Sequence, residues 1–210
     1  MVFNMVTEEK ITQDYEKFMA YIEADPRAEN LKEMYEVLQD ELISAPASGR
    51  VHWHNCFPGG YLDHVLRVTE NSLKVAAMYK EMGGEIDFSK QELIFAALHH
   101  DLGKLGTEDG PYYIDQDSDW KRRNGELYQQ NYNLQYFKAP ERGLMMLQKY
   151  GVRITEKEWL GIKLSDGVYD EGNKSYLMNY APHAMKTNIH KVIHWADHMA
   201  SSAEGDATRG

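Results

Sequence analysis

Apolar residues recur every three to four positions along most of the chain, which is the period of an amphipathic helix. The first such segment covers about residues 7–24, and the second opens at Asp25-Pro26 and continues to about residue 42. Aspartate followed by proline is typical of a helix start, with proline at the first helical position. No stretch alternates as a half-buried strand does, and residues 106–118 allow at most a short hairpin. The pattern predicts an all-α fold with at least six helices.

Capping residues and glycines delimit the later helices. They predict a helix over about 61–82 that stops at Gly83-Gly84, one after a Ser89/Glu92 capping box, one over 140–151, one after a Thr155/Glu158 capping box, and a last one capped by Thr187. The intervening residues 106–138 are irregular, with one short helix near 120–128. We expect a single helical-bundle domain over residues 51–205, an N-terminal helical extension (1–50) that packs on it, and a frayed tail (206–210).

Composition limits the classes of protein. The chain has 210 residues, of which 42% are hydrophobic and 27% charged, typical of a soluble globular protein. Its net charge of −10 disfavours a broad surface for long nucleic acid. A single cysteine, Cys56, cannot form an internal disulfide. The polar N-terminus is unlike a signal peptide, and no apolar run is long enough for a membrane. These features predict a cytoplasmic protein that does not bind membranes.

The stretch "ALHHDLGKLG" places His99, His100 and Asp101 at the end of an apolar run. One interpretation is a helix C-terminus, where histidines favour the negative end of the helix dipole and Gly103 ends the helix. The other is a metal site that uses His100 and Asp101. Under that second interpretation, His99 points away from the metal and is structural.

Two further residues complete a candidate metal site. His64 follows a glycine pair early in a predicted helix, and Asp197 lies in the last helix. Helices of a bundle can bring such side chains to one point. Imidazole and carboxylate ligands suit a divalent cation such as Mn, Fe, Ni, Co, Zn or Mg, while the lack of cysteine ligands argues against structural zinc. The alternative for Asp197 is that it merely orients a neighbouring histidine.

The order His64…His100-Asp101…Asp197, with "HDLGK" and "WAD", resembles the HD-domain metal-dependent phosphohydrolases. The stretch "HNCFPGGYLDH" is similar to the opening of the HD domains of YhaM-type exoribonucleases, with His54 at their first histidine. The resemblance covers about residues 52–200. It implies a helical fold, a bound metal, and hydrolysis of a phosphate ester or anhydride, commonly of a nucleotide.

One feature departs from the two-metal members of this family, which carry two further histidines between the HD pair and the last aspartate. Here His183, His190 and His194 all come late, and Ser165-Asp166 stands where the family often has a histidine. This favours one metal ion per chain, or a second, weaker site that uses Asp166.

Other polar residues have candidate roles. Lys104 lies one helical turn after the HD pair, where it can reach a substrate phosphate or be a solvated lysine. Asp166, Asp170 and Glu171 share a short acidic loop, in which each can be a general base or merely a solvated carboxylate, and Asp166 is the one assigned to catalysis. His54 is either a substrate-binding residue or a loop histidine. His190, His194 and His198 share one helical face and are interpreted as surface or supporting groups.

Nine of the 14 tyrosines lie between Tyr112 and Tyr180, close in sequence to Trp120 and Phe137. Aromatic rings in this irregular region can stack on a nucleotide base or simply fill the core around long loops.

The leading hypothesis is therefore a metal-dependent phosphohydrolase acting on a small phosphorylated compound such as a nucleotide. His64, His100, Asp101 and Asp197 hold the cation, Asp101, Lys104 and Asp166 take part in catalysis, and His54 and Lys104 bind substrate. The alternatives are a 3′–5′ exoribonuclease acting on short nucleic acid, and a nucleotide-binding regulatory module with weakened activity. A homodimer is left open.

Overall fold

Ten α-helices make up most of the chain that the computed structural model describes, residues 7–178 and 184–209. They are α1 (Glu8–Glu23), α2 (Ala28–Val37), α3 (Gln39–Ser44), α4 (Gly60–Glu81), α5 (Lys90–His99), α6 (Asp119–Arg123), α7 (Ala139–Lys149), α8 (Glu156–Lys163), α9 (Lys174–Leu177) and α10 (Ile189–Arg209). Short 3₁₀ turns occupy Leu102–Leu105, Gly167–Tyr169 and Glu171–Asn173. The predicted all-α fold is confirmed.

Strands are few and short in the described residues. They are β1 (Gly106–Thr107), β2 (Gly110–Pro111), β3 (Tyr113–Asp115) and β4 (Tyr128–Gln130). The antiparallel pair β1–β2 forms the hairpin that the sequence allowed. The antiparallel pair β3–β4 was not predicted, because its two strands are three residues each and are separated by α6.

Helix α4 is the centre of the bundle and packs most extensively on α10 and α5. Its apolar face is completely buried, including Leu62, Val65 and Val68. One continuous hydrophobic cluster joins residues from α1 through α10, so α4 and α10 are fixed against each other along much of their length. This contact determines where side chains of the two helices meet.

Both predicted capping boxes are present. The Ser89 hydroxyl accepts a hydrogen bond from the Glu92 amide, and Thr155 does the same for Glu158. The Thr155 hydroxyl also donates to Glu92 Oε1 (3.0 Å), so the N-termini of α5 and α8 are joined. Local sequence signals of this kind act within one turn, which is why they could be identified without tertiary information.

Two predicted helix boundaries are wrong. The helix expected from Pro26 to residue 42 begins at Ala28 and breaks at Leu38, whose φ of −99° and ψ of 17° end α2 before α3 begins. Leu38 is only 1% exposed, so core packing holds the break. The tail expected to fray after residue 205 is helical to Arg209. Buried Glu204 anchors this last part of α10.

The N-terminal helices pack on the bundle through the hydrophobic core, and Arg27 adds a charged contact. Its guanidinium donates to both carboxylate oxygens of Glu158 at 2.9 Å and lies 3.7 Å from the centre of the Phe95 ring. Asp25 also accepts from Arg27 at 2.8 Å. These contacts join the segment before α2 to α5 and α8. The division into an extension (1–50) and a domain (51–205) stays a prediction, whereas residues 206–209 of the expected tail (206–210) continue helix α10.

Glu158→Gln should destabilise the fold, because it removes the charge that pairs with a largely buried Arg27. We expect the free energy of unfolding to fall by about 2 kcal/mol or more. Urea denaturation followed by circular dichroism measures this change. Glu156→Gln, on an exposed residue in the same helical turn, is the matched control and should have little effect. Equal stability of the two variants would show that the Arg27–Glu158 pair is not important for the fold.

Candidate metal centre

A close approach of two backbone segments places His64 at the start of α4. Gly59 has a φ of +81°, and a Cβ on Gly60 would lie only 2.2 Å from the Asn55 carbonyl oxygen. Residues with side chains do not fit here without a shift of the backbone. The glycine pair therefore lets α4 begin against the preceding loop, and His64 lies one turn further on, fully buried.

His100 and Asp101 lie at the end of α5, where the chain leaves the helix. A Cβ on Gly103 would lie 2.0 Å from the Ala139 carbonyl oxygen, so Gly103 allows the turn after the pair to pack tightly on α7. His100 Nδ1 lies 2.7 Å from the Ala97 carbonyl oxygen. Both side chains are largely buried, at 1% and 9% exposed.

Asp197 of α10 completes a four-residue cluster with these groups. His64 Nε2 lies 3.2 Å from Asp197 Oδ1 and 3.6 Å from Asp101 Oδ2. His100 Nε2 lies 3.5 Å from Asp101 Oδ2 and 3.8 Å from Asp197 Oδ1. The four side chains predicted from the sequence thus converge, although they come from three separate parts of the chain.

The histidine tautomers fit a cation in this cluster. A ring nitrogen beside a carbonyl or carboxylate oxygen is the protonated donor, so the other nitrogen of the neutral ring carries the lone pair. In His100 the donor is Nδ1, and Nε2 is buried without a hydrogen-bond partner. In His64, Nδ1 lies beside Glu204, and Nε2 lies 3.2 Å from the Asp197 carboxylate, so this nitrogen carries a proton that a cation would displace. With that proton gone, two buried Nε2 atoms facing two carboxylates form a donor set that suits a divalent metal ion.

Glu204 is a residue that sequence reasoning missed. Its Oε2 accepts from His64 Nδ1 at 3.0 Å, and its Oε1 lies 3.0 Å from Arg67 Nε. Carboxylates in this position orient metal-binding histidines and increase their basicity. Glu204 lies seven residues after Asp197, two turns along the same helix face, and that spacing was the available signal. His54, His64 and Glu204 form a second group of close ligand atoms, but there Glu204 faces the Nδ1 side of His64.

Lys104 lies beside the cluster and forms an ion pair with Asp101, with Nζ 2.6 Å from Oδ2. Burial opposes the lysine charge, yet the Asp101 carboxylate holds the pKa of Lys104 well above its usual range. The ammonium is therefore always charged at physiological pH. It supplies positive charge within reach of any anion that binds at this cluster.

The carboxylates of the cluster are ionised. Burial opposes the negative charge of Asp197, but His64 and His100 hold the pKa of this carboxyl well below its usual range. Burial likewise opposes the charge of Asp101, and Lys104 and His100 lower its pKa. The Asp197 and Glu204 carboxylates raise the pKa of His64 to about 10 despite its burial. A divalent cation would therefore displace a proton from His64.

His54 and Asp166 lie next to the cluster. The His54 ring centre is 4.7 Å from that of His64, and burial together with His64 lowers the pKa of His54 to about 3. His54 is therefore neutral. Asp166 is open to solvent on one side, but desolvation on the other and the Asp101 charge raise its pKa. The roles of both residues at the site stay predictions.

Among the described residues, the remaining histidines lie outside the cluster. His99 stacks on Phe95 with ring centres 4.2 Å apart, and His194 Nδ1 contacts the Ser165 carbonyl oxygen. His198 is exposed, whereas His190 is buried at 5% exposure, so of the two roles predicted for it, surface or supporting group, burial excludes the surface position. His190 is buried because it lies on the core side of α10, beside Ile189 and Ile193. His183 lies outside the described residues.

The acidic loop is paired with lysines. Asp170 accepts from Lys138 at 2.5 Å and lies 3.7 Å from Lys163, while Glu171 pairs with Lys174 at the surface. These partners neutralise both carboxylates. They leave Asp166 as the candidate base among the three.

Comparison with known proteins identifies the class. The HD domain family matches residues 61–200, and the chain therefore belongs to this family of metal-dependent phosphohydrolases, whose members bind divalent metal ions. A curated relative, dihydroneopterin 2′,3′-cyclic phosphate phosphodiesterase of Methanocaldococcus jannaschii, is 35% identical over 72 residues. The matched stretch covers 32% of this chain and 28% of the relative, so the chain spans about a quarter of that protein's length. No solved structure shows significant similarity.

Within the described residues, no helix combines the length and the apolar character required to cross a bilayer.

Glu204→Gln should weaken metal binding, because the amide no longer provides the negative charge that orients and polarises His64. Loss of such a supporting carboxylate typically lowers metal affinity about 10–100-fold. Titration of the metal-free protein with Mn²⁺ or Zn²⁺ by calorimetry measures the effect. Asp206→Asn, on an exposed carboxylate of the same helix, should leave the affinity unchanged. Equal affinity of wild type and Glu204→Gln would contradict the role of Glu204.

Proposed function

We propose that this protein is a metal-dependent phosphohydrolase that cleaves a phosphate ester or anhydride in a small phosphorylated compound of the nucleotide type. The observation that carries the proposal is the convergence of His64, His100, Asp101 and Asp197, with both Nε2 atoms buried and facing the carboxylates and that of His100 without a hydrogen-bond partner. Buried polar atoms without partners are costly unless a ligand satisfies them. A divalent cation is the ligand that this donor set suits.

These four residues would hold one cation, whose identity among Mn, Fe, Ni, Co, Zn and Mg the donor set leaves open. When bound, such a cation polarises a phosphoryl oxygen and lowers the pKa of an attacking water molecule. The two carboxylates supply two negative charges, so a divalent ion gives a neutral core with two imidazoles. One cation per chain fits the described residues, because Asp166 belongs to neither group of close ligand atoms found there.

Lys104 and Asp166 would act on the substrate and on the attacking water. The Lys104 ammonium now pairs with Asp101, and a substrate phosphate would compete for the same donor. The Asp166 carboxylate, with its raised pKa, would accept the proton of the attacking water. Neutral His54, with a buried and unpartnered Nε2, would bind a substrate oxygen.

The curated relative supports a phosphodiester as one substrate class to test. Its name describes cleavage of a cyclic phosphate attached to a heterocyclic compound. For this chain, a cyclic phosphodiester is therefore a candidate beside nucleoside monophosphates, diphosphates and triphosphates. The net charge of −10 disfavours long RNA, which leaves exonuclease activity on short RNA as the alternative enzyme. A binding module with weakened activity would bind nucleotide without turnover.

Asp101→Ala should abolish hydrolysis, because it removes a metal ligand and one of the two negative charges that hold the cation. The test measures metal content and then phosphate or ester release from nucleoside phosphates, 2′,3′- and 3′,5′-cyclic nucleotides, and short RNA. Asp109→Ala, on an exposed aspartate eight residues further on, is the matched control.

Full activity of Asp101→Ala would overturn the proposal. So would an absence of turnover by metal-loaded wild type on every substrate of the panel. Nucleotide binding without turnover would instead favour the regulatory module.

Lys104→Ala should keep the metal but lower catalysis, because the lysine contacts the substrate phosphate rather than the ion. Loss of one charge-assisted contact in the transition state lowers kcat/KM by about a hundredfold or more. Steady-state kinetics and metal analysis of the same sample separate the two effects. An unchanged kcat/KM would show that Lys104 only neutralises Asp101. Loss of the metal would show instead that Lys104 is needed for metal binding and not only for contact with the substrate.

A further inference from the structure

A cavity of about 340 Å³ lies beside the candidate metal centre, and of its walls the proposed chemistry uses only Asp166. Four aromatic side chains line it, together with an amide, two carboxylates and a lysine: Tyr112, Tyr136, Phe137, Tyr169, Gln130, Asp166, Asp170 and Lys138. The volume is in the range of pockets that bind small ligands. The walls combine aromatic faces with polar groups.

Asp166 connects this cavity to the metal centre. Its carboxylate lines the cavity, and Asp101, Lys104 and Asp197 are near enough for their charges to act on it. Two backbone contacts place the walls beside the HD pair: the Tyr112 amide donates to the Leu105 carbonyl oxygen at 3.4 Å, and Ala139, another lining residue, packs on Gly103. The cavity therefore adjoins the residues that follow Asp101, so the rest of a molecule whose phosphate lies at the metal centre can occupy it.

We propose that this cavity binds a flat nitrogen heterocycle, the base-like part of the phosphorylated substrate. The assignment of that ring to a substrate rests on the proposed function, whereas binding of the ring itself does not. Aromatic side chains bind such rings by stacking, and every nucleobase has a face that can stack. The polar groups around the cavity suit the polar edge of a heterocycle better than a hydrocarbon.

One wall of the cavity is held in place before any ligand arrives. The Gln130 amide donates to the Tyr112 hydroxyl at 2.6 Å, and the Arg142 guanidinium lies 5.1 Å from the Tyr112 ring centre. Arg142 is 97% buried and also donates to the Gln135 carbonyl oxygen, so it joins α7 to the segment that carries Tyr136. A preorganised wall lowers the entropic cost of binding.

The other wall presents open aromatic faces. Tyr169 is 76% exposed and Tyr136 is 72% exposed, which is unusual for large aromatic residues in a monomer. The Tyr169 ring stacks on His198 with ring centres 6.0 Å apart and a 22° angle between planes. This contact orients the Tyr169 ring while it remains accessible to a ligand.

The experiment compares nucleosides with ribose, so that the ligands differ by the ring alone and are not hydrolysed. Saturation-transfer NMR measures the Kd values of adenosine, guanosine, cytidine, uridine and ribose for the full-length protein. We expect at least one nucleoside to bind about tenfold or more tightly than ribose. The Tyr169→Ala variant should bind that nucleoside about tenfold more weakly than the wild type does. The Tyr169→Phe variant, which keeps the aromatic ring, should bind it as tightly as the wild type.

Tyr132→Ala is the matched control, because Tyr132 is 82% exposed, is close in sequence to Tyr136 and does not line the cavity. It should leave all Kd values unchanged. The proposal is overturned if no nucleoside binds more tightly than ribose, or if Tyr169→Ala binds them as wild type does. If the protein hydrolyses phosphate compounds but binds no nucleoside more tightly than ribose, only this inference is rejected. If it binds nucleosides more tightly than ribose but hydrolyses no phosphate ester, only the proposed function is rejected.

Discussion

A buried imidazole between two carboxylates is the contact on which the arrangement depends. His64 of α4 meets Glu204 through Nδ1 and Asp197 through Nε2, and both carboxylates belong to α10. Each helix is more than 20 residues long, and a small rotation of either would separate these groups. Hydrophobic packing fixes the distance between the helices, while the histidine fixes their register. The same residue therefore contributes to the fold and directs its Nε2 atom at the candidate metal centre.

Charge balance leads us to infer that a bound divalent cation would compete with Lys104 for the Asp101 carboxylate. Without a cation, Asp101 and Asp197 face each other across two imidazoles, and the Lys104 ammonium offsets part of the negative charge. A divalent ion in the cluster would take over that role and release the ammonium for a substrate phosphate. On this account, metal binding prepares the substrate site by freeing a cation that is already in place.

Local signals in the sequence were sufficient to predict much of the fold and to select the four candidate metal ligands. Capping boxes at Ser89 and Thr155 act within one turn, and the HD pair, His64 and Asp197 follow an order that is recognisable along the chain. What could not be predicted depends on distant contacts. The break at Leu38 follows from its burial in the core, and β3 pairs with a strand 13 residues after it ends. Glu204 was missed because its role arises only where α10 crosses α4.

The measurement that tests the central claim most directly is anomalous diffraction from a crystal grown with Mn²⁺. The account predicts a peak about 2.0–2.3 Å from His64 Nε2, His100 Nε2 and one carboxylate oxygen each of Asp101 and Asp197. A peak among His54, His64 and Glu204, or no peak near the HD pair in metal-loaded protein, would contradict it.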